Sequence, residues 1–278
     1  MPAQQIISKP LPDYSNPPVI EVVCGISFTP LVGFQAVHLG LLWEKFRDQY
    51  PKVEEHPPVV MPLEQLTIPA GHVETMQFLE TPPLPRVWFL DVSGNGIVQV
   101  QRDVLLYNWR KLKDTDKYPR FSVVIREFKD HLLRLVRFVE AEKLGAIQPV
   151  QYELTYINHV PATSHWSHGK PLNSIFPDFV WRQSRERFLP MSYEAAHWRT
   201  AFRLPDDNGR LHVAIQTAFK RPDNAPLLIL ELKARGMARD HSMASAWKWF
   251  DLAHEWIVRG FADITDRTVQ ESLWGLKS

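Results

Sequence analysis

The chain has 278 residues, with 32 Lys and Arg against 31 Asp and Glu, so a formal net charge of +1 supplies no global field for nucleic acid or an anionic membrane. Its one cysteine, Cys24, excludes an intramolecular disulfide and fits a reducing compartment, and no apolar run reaches the roughly 18 residues of a spanning helix. The 12 glycines fall in neither G-x-G-x-x-G nor G-x-x-x-x-G-K-[ST] spacing, which removes both backbone phosphate cradles, while 23 Pro and 10 Trp suit a sharply turned, strand-rich protein.

Residues 1–18 hold five prolines and read as an extended arm. The amino terminus, Met1-Pro2-Ala3-Gln4-Gln5, has neither the basic start nor the apolar stretch of a secretory signal, so a cytoplasmic protein is expected. A first strand follows: Ile20, Val22, Cys24, Ile26 and Phe28 alternate with Glu21 and Ser27 until Pro30. Leu39, Leu42, Trp43, Phe46 and Tyr50 then fall at helical spacing, ended by Pro51.

Residues 51–72 are Pro-rich, with Leu63 to Ile68 as a candidate short strand. A meander is predicted from Val73 to Leu79, Val87 to Val92, Ile97 to Gln101 and Val104 to Trp109, with a hairpin at Ser93-Gly94-Asn95-Gly96. Phe121, Val124, Ile125, Phe128, Leu132, Leu135, Val136 and Val139 trace the stripe of a long helix from Arg120 to Lys143, with Gly145 as its cap.

The same order returns in residues 147–278. A strand runs from Val150 to Val160, a short helical piece from Leu172 to Phe176, and strands near Trp198 to Leu204, Leu211 to Phe219 and Leu227 to Arg235. Asp207-Asn208-Gly209 marks a hairpin. Ser242 caps a closing helix with the stripe Met243, Ala246, Trp247, Phe250, Ala253, Ile257, Phe261 and Ile264, and Thr265 to Trp274 folds back onto the body. The expected fold is therefore α+β: one antiparallel sheet built from two pseudo-repeated strand-helix-meander-helix halves, 19–146 and 147–278. Both long helices lie on one sheet face and the other face is polar.

Three stretches, Asn16-Pro17-Pro18-Val19-Ile20-Glu21-Val22-Val23, Val98-Gln99-Val100-Gln101-Arg102-Asp103 with Asn108-Trp109-Arg110, and Tyr156-Ile157-Asn158-His159, point to kinship, as does the end from Ala253-His254-Glu255-Trp256-Ile257 to Leu273-Trp274-Gly275. Through them the chain resembles, nearly end to end, a sporadically distributed, functionally uncharacterised family of prokaryotic proteins of about this length. The resemblance implies no activity, cofactor or catalytic residue, and its patchy distribution fits a defence-associated setting.

Chemistry concentrates at Gln99, Gln101, Asp103, Asn108, Trp109, Arg110, Tyr156, Asn158 and His159, with Glu153 and Thr155 on one face of the Val150 strand. Amides offer donors and acceptors and Arg a fork for carboxylate or phosphate, a mixture suited to recognising a polar ligand; the plain alternative is a solvated sheet face. His159, His165 and His168 lie close in sequence, but no Cys or carboxylate completes a metal site in that loop, and no metal or cofactor is expected. His254 sits on a helix stripe as a packing histidine, and Cys24 faces the core. The run Trp181 to Arg187 with Phe188 interleaves cations and aromatics as nucleic-acid surfaces do, though a solvated edge is the commoner meaning.

The favoured function is non-enzymatic: a cytoplasmic recognition or regulatory protein binding a polar ligand or a protein partner on an open sheet face. Nucleic acid is a less favoured partner, and a membrane is not expected. The rival reading is a hydrolase or nuclease acting through His159 with nearby carboxylates. A third is a homo-oligomeric structural subunit.

Overall fold

The computed structural model describes residues 10–67, 84–163, 165–180, 188–189 and 193–277. Among these residues, nine antiparallel strands form one sheet: β1 (Val19–Phe28), β2 (Lys52–His56), β3 (Arg86–Leu90), β4 (Gly96–Val100), β5 (Val104–Arg110), β6 (Pro149–Pro161), β7 (His197–Arg203), β8 (Arg210–Lys220) and β9 (Ala225–Met237). Their order is β2-β3-β4-β5-β1-β6-β9-β8-β7, so β1 and β6 pair at the centre. Among the described residues, four α-helices join it, α1 (Ala36–Trp43), α2 (Phe121–Ala141), α3 (Met243–Ile264) and α4 (Arg267–Ser272).

Register separates the sheet's faces. Val22, Cys24 and Ile26 of β1 stand opposite Trp109, Tyr107 and Leu105 of β5 and opposite Tyr156, Leu154 and Tyr152 of β6. Residues directly opposite share a face, so these side chains form one apolar surface, continued by Leu230, Leu232 and Ala234 on β9 and Leu211, Val213 and Ile215 on β8. The other face carries Gln99, Asn108, Glu21, Thr155, Glu153, Lys233, Arg235 and His212 in the same register.

Apolar residues of the long helices join this surface in one core cluster. Tyr107 meets His131 of α2 at 4.9 Å, Tyr152 meets Trp249 of α3 at 5.5 Å, and Phe128 of α2 meets Phe250 of α3 edge-on at 5.3 Å. The buried stripes also include His131 and Phe138 on α2 and Trp249 on α3, which periodicity did not single out, while Phe121, Val136, Met243 and Trp247 are only partly buried.

Three local expectations change. Leu63 to Leu66 joins no ladder, because its polar groups bond to side chains of the sheet, and Ile68 lies outside the described residues. Instead Lys52–His56, charged on its exposed edge, forms β2 beside β3. The end of α2 turns at Lys143, whose φ of 55° is left-handed, with Gly145 two residues further on at 108°. The α-helical part of α1 stops at Trp43, and hydrogen-bonded turns carry Phe46 and Tyr50 into the core. The predicted strand Val73 to Leu79 and the basic run Trp181 to Arg187 lie outside the described residues. Both hairpins occur where predicted, with Gly94 at φ 79° and Gly209 at 124°, conformations that glycine adopts without Cβ strain. Ser242 caps α3 by accepting a hydrogen bond from the Ser245 N–H. The carboxyl-terminal segment folds back: Tyr14 bridges Leu276, and Lys277 N–H donates to the Asp13 carbonyl.

Burial holds two imidazoles neutral, at about 3 for His131, helped by the Arg134 charge, and at about 4 for His254. Above the unfolded value of about 6.5 both states are neutral; below it the unfolded chain gains protons that the native chain refuses, at about 1.4 kcal/mol per pH unit per histidine. Stability is thus expected to be level near neutrality and to fall as pH drops from about 6.5 toward 4. Urea denaturation across this range checks it, and His131→Leu should flatten the slope.

Candidate functional site

Of the residues singled out from sequence, five sit on the polar face. Gln99, Asn108 and Glu21 form a relay with Arg86: the Arg86 guanidinium donates to Gln99 Oε1 (3.0 Å), Gln99 Nε2 to Asn108 Oδ1 (2.7 Å), and Asn108 Nδ2 to Glu21 Oε1 (2.6 Å). The relay crosses β3, β4, β5 and β1 and ends in opposite charges, which orients each amide. Gln101 is turned elsewhere, exchanging hydrogen bonds with both backbone groups of Val59. Arg110 donates from Nε to the Gly94 carbonyl and anchors the β3–β4 turn. His159 lies near the far end of β6, where burial and then the Lys220 charge lower its pKa.

The remaining four lie elsewhere. Asp103 is in the β4–β5 turn, 3.4 Å from Gln101 Nε2. Trp109, Tyr156 and Asn158 are on the apolar face, because each differs by an odd number of positions from Asn108 or His159. Gln101, Asn108, Arg110, Asn158 and His159 therefore do not share one surface: adjacent strand residues such as Asn158 and His159 must point to opposite sides. Glu153 and Thr155 do share the face of Asn108, with β1 between their strands.

The loop histidines are separately engaged, His165 with the Ser272 hydroxyl (3.4 Å) and His168 with the Glu194 carbonyl (2.8 Å). Among the described residues, no group of three or more His, Cys, Asp or Glu is placed to hold a metal ion. Cys24 is fully buried, and burial pushes its thiol up, away from the nucleophilic thiolate.

Across one end of the polar face runs an irregular strap, residues 57–67. It is fastened at Gln101, then at Gln151, which accepts from the Glu64 N–H (2.6 Å) and donates to the Pro62 carbonyl (3.0 Å). At its end Glu64 is 6% exposed, with its carboxylate held by the Arg210 guanidinium and, at 2.6 Å, by His212 Nε2. Arg210 also donates to the carbonyls of Gln65 and Leu66. Burial alone would raise the Glu64 pKa, but the hydrogen bonds and charges of His212 and Arg210 outweigh it and hold the carboxyl below its ordinary value.

Beyond Glu64 a trough of about 550 Å³ opens along β7, β8 and β9. Arg199 and His197 form one wall, with Arg199 Nε donating to His197 Nε2 (3.0 Å). Lys233 and Arg235 form the other; Lys233 pairs with Glu231 (3.2 Å), and Arg235 grips Glu153 through Nε and Nη2 at 3.0 and 2.9 Å. The half-exposed His212 belongs to both the strap contact and the trough. These residues alternate with apolar ones along β8 and β9, a period-2 signal that marks an outer face without saying what it faces. Glu64 had no such signal.

No helix among the described residues is long and apolar enough to cross a membrane. Compared with protein-family models, with curated proteins and with solved structures, the chain matches none.

Proposed function

We propose that the protein is a cytoplasmic, non-enzymatic recognition protein whose polar sheet face binds a ligand carrying a carboxylate or phosphate group, in a defence-associated setting. We read the two halves as repeats of one unit, with both long helices on the opposite face, leaving this face free for binding. The observation that carries the reading is Glu64: a carboxylate is already seated on Arg210 and His212 at the end of the trough, and Arg199, Lys233 and Arg235 extend the same chemistry beyond it. Guanidinium forks suit carboxylate and phosphate oxygens, and Glu231 and Gln216 add acceptors for a polar body. The hydrolase reading gains no support at His159, whose side chain has no hydrogen bond to a carboxylate among the described residues.

The test is calorimetry with citrate and with pyrophosphate as probes. Saturable binding is expected for at least one of them, weakened about tenfold or more by Arg199→Ala, a loss of about 1.4 kcal/mol. No heat from either probe, or binding indifferent to that substitution, would remove the proposal.

A further inference from the structure

On the apolar side a second cavity, of about 350 Å³, lies between the amino-terminal arm, the start of α2, and α3. Its wall is formed by Tyr156 and Asn158 of β6, Leu232 of β9, and His254, Ile257 and Val258 of α3. It opens to solvent, and its size falls in the range of small-molecule pockets.

Few polar groups reach it, and they are ordered. The hydroxyls of Tyr118 and Tyr156 are 2.8 Å apart, and the Tyr156 hydroxyl is 3.1 Å from His254 Nδ1. The His254 ring is stacked on Phe121, with centroids 4.0 Å apart and planes 9° from parallel, so the imidazole is fixed in orientation. Burial keeps that imidazole neutral, leaving the interior without a fixed charge to oppose an apolar body.

The mouth is charged. Arg120, at the start of α2, holds a left-handed φ of 79°, a conformation that non-glycine residues adopt rarely and chiefly where surroundings enforce it. Its Nη1 donates to Asp13 Oδ1 at 3.1 Å, and Asp13 Oδ2 accepts from Lys277 Nζ at 2.6 Å. Two cations thus share one carboxylate, and Arg120 spends one of its five N–H donors there. A second carboxylate at this point would complete both the charge and the hydrogen bonding.

We infer that this cavity binds a small amphipathic monocarboxylate, with its hydrocarbon body between α3 and β6 and its carboxylate on Arg120 at the mouth. The arm from Leu11 to Pro17 forms the outer wall, and its backbone bonds to Trp274 and Gly275 hold it in place. This site is separate from the trough and lies on the other face of the sheet.

Sodium decanoate and 1-decanol, each titrated below its aggregation concentration, test the inference by calorimetry, with intermolecular nuclear Overhauser effects to locate the bound chain. Decanoate should bind one to one, showing contacts from its chain to the methyl groups of Leu232 and Val258, and decanol should bind more weakly. Arg120→Met, which keeps the same backbone demand, should weaken decanoate by about tenfold or more while changing decanol by less than about twofold. Val258→Trp should fill the space and abolish binding of both. Absence of saturable decanoate binding would overturn the inference. So would contacts to residues elsewhere, parent affinities equal for acid and alcohol, or an Arg120→Met variant that binds decanoate as the parent does. If Val258→Trp does not fold, the contacts observed in the parent protein still decide the location.

Discussion

Phe250→Ala is expected to lower the free energy of unfolding by about 3 to 5 kcal/mol, the cost of a large cavity in a core that cannot fully collapse. Phe250 has no exposed surface, and its ring meets those of Phe128 and Trp249 at 5.3 Å and Tyr152 at 6.0 Å. It therefore joins α3, α2 and the centre of the sheet, and its removal strips contacts from all three. Urea denaturation measures the loss. A change below about 1 kcal/mol would mean that the interface repacks freely, contrary to the aromatic cluster described.

Arg210→Met should be comparably damaging, at about 3 to 5 kcal/mol, for an electrostatic reason. It leaves the buried Glu64 carboxylate without its guanidinium partner, keeping only the hydrogen-bond contact with His212, and deprives the strap of two carbonyl contacts. The double variant Glu64→Gln with Arg210→Met should recover part of the loss, because no unpaired charge stays behind. Denaturation of the single and double variants measures the coupling. If the double variant is as unstable as the sum of the singles, the two side chains do not act as a pair.

The elements were legible where one period dominates. Alternation in Val22, Cys24 and Ile26 marks a half-buried strand, and the spacing of Val124, Phe128, Leu132 and Leu135 marks a helix; both are where the pattern puts them. β2 was missed because Lys-Val-Glu-Glu-His carries a single apolar residue, and an edge strand is held by one ladder to β3 rather than by burial. Leu63 to Ile68 reads as a short strand because the partners of the strap, Gln101, Gln151 and Arg210, are distant in sequence, and no local pattern reports a side-chain-to-backbone bond over such separations.

The polar site was legible only in part. Parity puts Gln99 and Asn108 on one face and Trp109 on the other, but which strands are neighbours is a property of the sheet order. The interposed β1 brings in Glu21, and the β6–β9 pairing brings in Lys233 and Arg235 opposite Thr155 and Glu153. Those charged residues alternate plainly along β9, yet an alternating strand looks the same whether its outer face meets water or a ligand. Tyr156 and Asn158, grouped with the polar cluster on their chemistry, belong by parity to the apolar side, where they line the second cavity.

The most direct measurement of the central proposal is the imidazole proton resonances of the folded protein, followed by nuclear magnetic resonance during separate titrations with citrate and with pyrophosphate near neutral pH. His212 stands at the junction of Glu64 and the trough, and His197 stands on the trough wall. His131 is 1% exposed in the core, against Tyr107 of the apolar face. Binding on the polar face predicts, with at least one of the two probes, saturable shifts of the His212 and His197 resonances with a single dissociation constant while His131 stays fixed; shifts confined to other histidines, or none at saturating concentrations of either probe, would contradict it.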